Sequence, residues 1–169
     1  MLGIFSNKGQ EHLRKSSEAE KAVEREYGIT LLQFQESRTS RIDGVMVNAE
    51  GQVVGIYETK SRTGNLEYNG QDPVFRFRDK DYDSMLITAD KINTMKKMST
   101  YLQVSSYLIC NYTNNIIGVF QVTNNSGSIA LQNIQLKKIR TRANVNGGTA
   151  HRENYFIPLH NGTFFEKDS

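Results

Sequence analysis

The chain has 169 residues, a formal net charge of +3, 37% hydrophobic residues and 23% charged residues, which excludes wholesale disorder. A chain of this length is expected to form one domain, residues 1–169, that buries about two thirds of its unfolded surface. It contains no apolar run near 18 residues and no N-terminal secretory signal, so we expect no membrane span and a cytoplasmic location. The single cysteine, Cys110, excludes an internal disulfide.

Residues 11–27 predict the first helix, because they lack Pro and Gly, are rich in Glu, Lys, Arg and Ala, and precede Gly28 as a stop signal. Glu20, Val23 and Tyr27 share one face at helical spacing. An acidic residue on a packing face requires an explanation. Residues 29–36 follow as a strand with alternating side chains.

Residues 42–47 and 53–57 predict a β-hairpin with Glu50-Gly51 as its two-residue turn. In that register Asp43 lies directly opposite Glu58, and Lys60 shares the face of Glu58 because side chains alternate with a period of two. A one-residue change in the loop would move Asp43 to the other face unless a bulge restored the register.

Two adjacent carboxylates repel each other, and each has a raised pKa unless a cation lies between them. Mg²⁺ prefers oxygen ligands of this kind, with water in the remaining positions. A neighbouring lysine would orient the attacking water or stabilise charge on a phosphate. The hairpin therefore predicts a metal-dependent hydrolytic site.

Residues 63–83 form a long, polar segment, which predicts an irregular insertion loop. Its run Phe75-Arg76-Phe77-Arg78 combines phosphate-binding and base-stacking side chains, and an edge strand with solvated arginines is the equal alternative. Residues 89–102 predict a second helix with a basic side at Lys91, Lys96 and Lys97, and residues 104–111 and 116–123 predict two further strands.

Residues 136–169 predict a basic C-terminal extension. It begins with four cations in seven residues, Lys137, Lys138, Arg140 and Arg142. Such a segment suits tracking of a phosphate backbone, and it equally suits a loop that only keeps the protein soluble.

The motif Ile42-Asp43, a spacer of 14 residues and Glu58-Thr59-Lys60 resembles that of the PD-(D/E)xK nuclease superfamily, with Ile42 in place of the usual Pro. The resemblance implies an α/β fold with a restriction-endonuclease-like or Holliday-junction-resolvase-like core. Its expected order is a helix, a three-strand meander, a helix and a strand, with a mixed central sheet flanked by helices. The predicted elements follow that order.

The resemblance also implies roles for individual residues. Asp43, Glu58 and the backbone carbonyl of Thr59 are the expected ligands of Mg²⁺, for which Mn²⁺ would substitute, and Lys60 is expected to position the nucleophile. A glutamate of the first helix often joins the site in this family; Glu20 fits best, then Glu24 and Glu18, and solvated helix charges are the alternative. Lys91 is the candidate assisting residue on the second helix.

The function expected from this resemblance is that of an Mg²⁺-dependent endodeoxyribonuclease, for example one acting on branched DNA such as Holliday junctions. The expected DNA contacts are basic residues in four segments: Arg62, Arg76, Arg78, Lys91, Lys137, Lys138, Arg140 and Arg142. Cleavage of junctions or of both strands would favour a homodimer. The sequence leaves open the substrate structure, DNA against RNA, and endonuclease against exonuclease action.

Three other functions are compatible with parts of the sequence. One is an inactive nuclease-like fold that serves as a DNA-binding or assembly module. Another is a metal-free nucleic-acid-binding module in which Lys60 and Arg62 contact phosphate. The third, a hydrolase with a serine or cysteine nucleophile, lacks any G-x-S-x-G sequence or Cys/His pairing.

Overall fold

A computed structural model of the chain describes residues 7–34, 42–70, 72–140 and 151–168. Two α-helices lie in these ranges, α1 (Asn7–Tyr27) and α2 (Ala89–Leu102). The strands, in chain order, are β1 (Thr30–Gln33), β2 (Gly44–Val47), β3 (Val53–Arg62), β4 (Asn65–Glu67), β5 (Val74–Phe77), β6 (Lys80–Tyr82), β7 (Ser84–Thr88), β8 (Ser105–Tyr112), β9 (Ile116–Thr123), β10 (Gln135–Arg140), β11 (His151–Pro158) and β12 (Gly162–Glu166). A short 3₁₀ turn, Leu159–Asn161, joins the last two strands.

The central sheet has six strands in the order β1-β2-β3-β8-β9-β12. Strands β1, β2 and β3 form an antiparallel meander, whereas β3 and β8 pair in parallel. A parallel pair needs a crossover connection, and the chain from β4 to α2 supplies it. The predicted α/β class and mixed central sheet are therefore confirmed.

The two helices cover opposite faces of this sheet. On one face α1 inserts Ala19, Ala22 and Val23 against Tyr57 and Ile109. On the other face, α2 contributes two almost fully buried residues to a cluster with central-sheet residues: Ile92, Met95, Ile56, Leu108 and Phe120. Alternate residues of β3 and β8 thus belong to different cores. The position of a polar residue along either strand therefore decides which face of the sheet its side chain occupies.

The helix predictions agree well with the structure. Helix α2 has the predicted bounds, and α1 ends at Tyr27 as predicted but begins at Asn7. Gly28 follows α1 with a φ of +64°, a conformation that glycine adopts without a Cβ penalty. None of the helices in the described ranges is long and apolar enough to cross a membrane.

The predicted two-residue turn in the β2–β3 hairpin is wrong. Asn48 N–H donates to Gln52 O at 3.0 Å, which leaves a three-residue loop, 49–51, with Gly51 at a φ of +78°. The loop alone would shift the register by one residue. A bulge at Val54 takes up the difference, because Val47 pairs with Val53 whereas Met46 pairs with Gly55. Gly44 therefore faces Tyr57, the register that places Asp43 beside Glu58.

Residues 63–83 are not irregular. The alternative expectation, a strand with solvated arginines, is met at β5, where Arg76 is exposed, although β5 is the middle strand of its sheet and not an edge. Strands β4, β5 and β6 form a small antiparallel sheet, in which Leu66 is buried and the ring of Phe75 packs at a tilt against Tyr112 of β8. Residues 136–169, predicted as a basic C-terminal extension, contribute strands to two sheets. Strands β10 and β11 join β7 in a second three-stranded sheet, and β12 forms an edge of the central sheet. The described part of the predicted strand 29–36 is β1; residues 35 and 36 lie outside the described ranges.

Replacing Gly44 with alanine should destabilise the meander, because the new Cβ would collide with the backbone oxygen of Leu32 in β1. We expect a loss of about 3 kcal/mol in the free energy of unfolding, measured with urea. The control is Gly51→Ala, whose Cβ meets open space and whose left-handed backbone costs only about 1–2 kcal/mol. Equal losses in the two variants would contradict the close β1–β2 packing.

Candidate active site

Asp43 and Glu58 meet at the end of the β2–β3 pair. Asp43 donates its backbone N–H to Tyr57 O at 3.0 Å, and its Oδ2 accepts the Thr59 N–H at 2.6 Å. Asp43, Glu58 and Lys60 line one cavity of about 200 Å³, to which α1 and β1 also contribute residues. The structure therefore brings together the three principal residues of the predicted site.

Glu58 is the most deeply buried charge of the site and has two lysine partners. Only 5% of the residue is exposed. Its Oε1 lies 3.0 Å from Lys60 Nζ and 3.0 Å from Lys91 Nζ. Its Oε2 is buried and has no hydrogen-bond partner among the described residues. An unpaired buried carboxylate oxygen is costly, and a cation at that position would remove the cost.

Glu20 is the glutamate of α1 that reaches this site. It is 6% exposed; its Oε1 accepts the Thr59 hydroxyl at 3.1 Å, and its Oε2 accepts the side-chain amide of Gln33. The other two candidates point elsewhere. Glu24 accepts the backbone N–H of Leu31, and Glu18 pairs with Arg14 and Lys167.

The site spans both faces of the sheet, and Thr59 connects them. Glu58 extends from β3 toward α2, where Lys91 lies, whereas Thr59 extends toward α1 and Glu20. The backbone N–H of Thr59 binds Asp43 while its hydroxyl binds Glu20. A single residue of β3 thus fixes the positions of two carboxylates.

Burial disfavours the ionised form of two of these carboxylates. Desolvation raises the pKa of Asp43, the nearby Glu58 charge raises it further, and the Thr59 N–H opposes the rise. Desolvation likewise raises the pKa of Glu20, against hydrogen bonds from Gln33 and Thr59. The charges of Lys60 and Lys91 also oppose the rise at Asp43, and the net direction for both carboxyls is a raised pKa.

The site suits a hard divalent cation, because Asp43 and Glu58 both offer carboxylate oxygens and the Oε2 of Glu58 has no hydrogen-bond partner among the described residues. Both oxygens of Glu20 are already engaged, by Thr59 and Gln33. Within the described ranges, no three His, Cys, Asp or Glu side chains are arranged to hold one ion. The arrangement thus offers two carboxylate ligands, Asp43 and Glu58, while Glu20 holds Thr59 and Gln33 in place.

The predicted nucleic-acid contacts at residues 62–78 have protein partners. Arg62 donates to Leu86 O at 2.8 Å and so connects β3 to β7. Arg76 pairs with Asp81 at 2.8 Å and with Glu67 at 3.4 Å, while Arg78 lies over the ring of Phe77, 4.9 Å from its centroid. Arg76 is therefore partly neutralised, and Arg78 is exposed.

Two of the C-terminal cations lie on β10. Lys137 and Lys138 are both exposed, and their adjacent positions in a strand put them on opposite faces. Lys137 Nζ lies 4.8 Å from the centroid of the Phe156 ring. The side chain of Arg140 and the whole of Arg142 lie outside the described parts of the chain.

Sequence reasoning missed the roles of Gln33 and of the Thr59 side chain, and it did not predict that Lys91 pairs with Glu58. The only signal for Gln33 was a polar residue between Leu32 and Phe34. Thr59 carried no signal beyond its place in the motif. Gln33 lies 13 positions from Glu20, Lys91 lies 33 positions from Glu58, and Thr59 lies 39 positions from Glu20, so sequence spacing did not reveal these contacts.

No protein-family model, no curated protein and no solved structure matches this chain. The functional assignment therefore depends on the geometry and chemistry of the site.

The raised pKa values of Asp43 and Glu20 predict how the metal-free protein responds to pH. A carboxyl whose folded pKa is raised contributes stability below its unfolded pKa, about 4, and loses it as pH rises through the folded value. Asp43→Asn keeps an oxygen for the Thr59 N–H but removes the charge. In EDTA, we expect this variant to exceed the wild type in free energy of unfolding at pH 7 and to match it near pH 4.

Urea unfolding at the two pH values measures this difference. Asp81→Asn is the matched control, because the hydrogen bond from Arg76 lowers the pKa of Asp81, whereas the pKa of Asp43 is raised. The control variant should therefore show no gain in free energy of unfolding at pH 7. A lower stability of Asp43→Asn at pH 7 would indicate that the ionised Asp43 supports the fold.

Proposed function

We propose that this protein is an Mg²⁺-dependent nuclease that hydrolyses phosphodiester bonds in DNA. The observation that carries the proposal is the convergence of Asp43, Glu58 and Lys60 on one cavity, with a buried Glu58 oxygen that lacks a partner. Two carboxylates and an ammonium group are the side chains that metal-assisted phosphoryl hydrolysis requires. Mn²⁺ is expected to substitute for Mg²⁺.

The order of elements supports the same proposal. Helix α1, the meander β1-β2-β3, helix α2 and strand β8, which is parallel to β3, follow the order that the resemblance to PD-(D/E)xK nucleases implies. The proposed fold is therefore a restriction-endonuclease-like core. To it are added β9 and β12 at one sheet edge and the two three-stranded sheets.

Asp43 and Glu58 would hold the ion, with the backbone carbonyl of Thr59 as a further oxygen ligand. When bound, the ion supplies charge neutralisation and a lowered pKa for water. Glu20 acts indirectly, because it fixes Thr59, which in turn donates to Asp43 Oδ2. Glu20 is therefore a positioning residue in this proposal.

Lys60 would act on the nucleophile and on the phosphate. Its side chain is 33% exposed and lines the cavity, while its ammonium contacts Glu58 Oε1. An ammonium has three N–H donors, so Lys60 keeps donors for an attacking water and a phosphate oxygen. Its charge opposes the negative charge that develops during hydrolysis.

DNA is the proposed partner. Arg78, Lys137 and Lys138 are exposed cations suited to phosphate contacts, and Arg62, Arg76, Lys91, Arg140 and Arg142 remain proposed contacts. Branched DNA such as a four-way junction is one substrate that we propose, and cutting it symmetrically calls for a homodimer. A basic surface alone gives affinity without choosing among DNA structures.

The competing function is DNA binding without cleavage. The observation that favours it is the pair of lysines on Glu58, which compensates this buried charge without a metal ion. The two functions are distinguished by whether the protein cleaves DNA or only retains it on a gel.

The first experiment is cleavage of linear duplex, single-stranded, supercoiled and four-way-junction DNA with Mg²⁺, Mn²⁺ or EDTA. Glu58→Gln and Lys60→Met should each lower the rate by on the order of 10²-fold or more, because each removes a group that acts on the reacting centre. The matched controls are two exposed residues outside the site, Glu50→Gln and Lys96→Met, which should cut at the wild-type rate.

Metal-dependent cutting that is lost in the two site variants would support the nuclease. DNA retention that survives EDTA, without cutting of any substrate, would favour the binding module. Wild-type turnover in Glu58→Gln would overturn the assignment of the site.

A further inference from the structure

We infer that Lys91 takes the place of a second cation, so that the site binds one divalent ion, on the Oε2 side of Glu58. This inference rests on the proposed metal site and specifies its stoichiometry. Two-metal sites hold ions about 3.5–4 Å apart, and a shared carboxylate offers one oxygen to each. In this protein the Oε1 of Glu58 is already paired with two cations, the ammonium groups of Lys60 and Lys91.

The two oxygens of Glu58 have different surroundings. Oε1 has ammonium groups from two different elements, Lys60 of β3 and Lys91 of α2, each at 3.0 Å. Oε2 is buried with no hydrogen-bond partner in the described ranges. An incoming ion gains most at Oε2, since at Oε1 it must displace or approach ammonium charges.

The position of Lys91 is fixed by the fold and is unfavourable for the helix itself. Lys91 lies in the first turn of α2, where the helix dipole disfavours a cation. The neighbouring Ile92 and Met95 are almost fully buried and hold this turn against the core. The Lys91 side chain is only 22% exposed. A cation kept at this end of a helix is explained by its buried partner, Glu58.

The charges of the site also favour one ion. Glu20, Asp43 and Glu58 carry three negative charges when ionised, and Lys60 and Lys91 carry two positive charges. One divalent ion leaves one net positive charge, which matches a single phosphodiester. A second divalent ion would bring the total to three positive charges in a poorly hydrated site, where repulsion is weakly screened.

Calorimetric titration of the full chain with Mn²⁺ at pH 7, without DNA, tests the inference. The wild type should bind one ion, and Lys91→Met, which removes the ammonium but keeps an unbranched side chain, should bind two. Lys91→Arg restores the charge and should return to one ion. Lys96→Met, an exposed α2 lysine, is the control and should bind one.

Electron paramagnetic resonance gives a second readout, because two Mn²⁺ ions a few ångströms apart are spin-coupled. Coupling is expected in Lys91→Met and not in the wild type. If Lys91→Met does not fold, as judged by circular dichroism, Lys91→Gln keeps an N–H donor without the charge and serves in its place.

A wild type that binds two ions, or uncharged Lys91 variants that still bind one, would overturn the inference and leave the nuclease proposal intact. A wild type that binds no ion, with the same result for Lys91→Arg, would overturn both. Glu58→Gln should bind no ion, which ties the measured stoichiometry to this site.

Discussion

The buried carboxylate of Glu58 is the interaction on which the site depends. A charge that is 5% exposed must be compensated, and two lysines from different elements provide this at one of its oxygens. Compensation ties β3 to the first turn of α2 and so couples the central sheet to the helix that covers it. The other oxygen, Oε2, is buried without a hydrogen-bond partner among the described residues, so the charge is only partly compensated and a cation bound there would be stabilised.

Thr59 has the complementary role on the opposite face. Its backbone N–H and its hydroxyl hold Asp43 and Glu20, so that a neutral residue organises two carboxylates whose pKa values burial raises. Glu58 and Thr59 are adjacent, and in a strand adjacent side chains point to opposite faces. The site therefore forms where residues from both sides of the sheet meet, at the end of the β2–β3 pair. Such a site requires the sheet and both helices to be in place.

The β2–β3 hairpin has the predicted register at Gly44 and Tyr57, although its turn differs from the predicted one. The expected two-residue loop at Glu50-Gly51 gave the register that pairs position 44 with 57. The three-residue loop and the bulge at Val54 give the same register, because each changes the count by one residue. Hydrophobic alternation predicted the strands, but a bulge leaves no clear trace in a sequence of this kind. The burial of one face, rather than the turn chemistry, decides the register.

The sequence by itself determined both long helices and the strands of the meander, because these depend on local periodicity and on stop signals such as Gly28. The facing of Asp43 and Glu58 depended in addition on the bulge at Val54. Tertiary structure decided the rest. Strands β4, β5 and β6 are only three or four residues long, so their own periodicity is weak although they pair locally. Strands β11 and β12 pair with the distant strands β7 and β9, so their pairing is non-local. Only packing selected Glu20 over Glu18 and Glu24, brought Gln33 to Glu20 and brought Lys91 to Glu58, since each contact joins residues far apart in sequence.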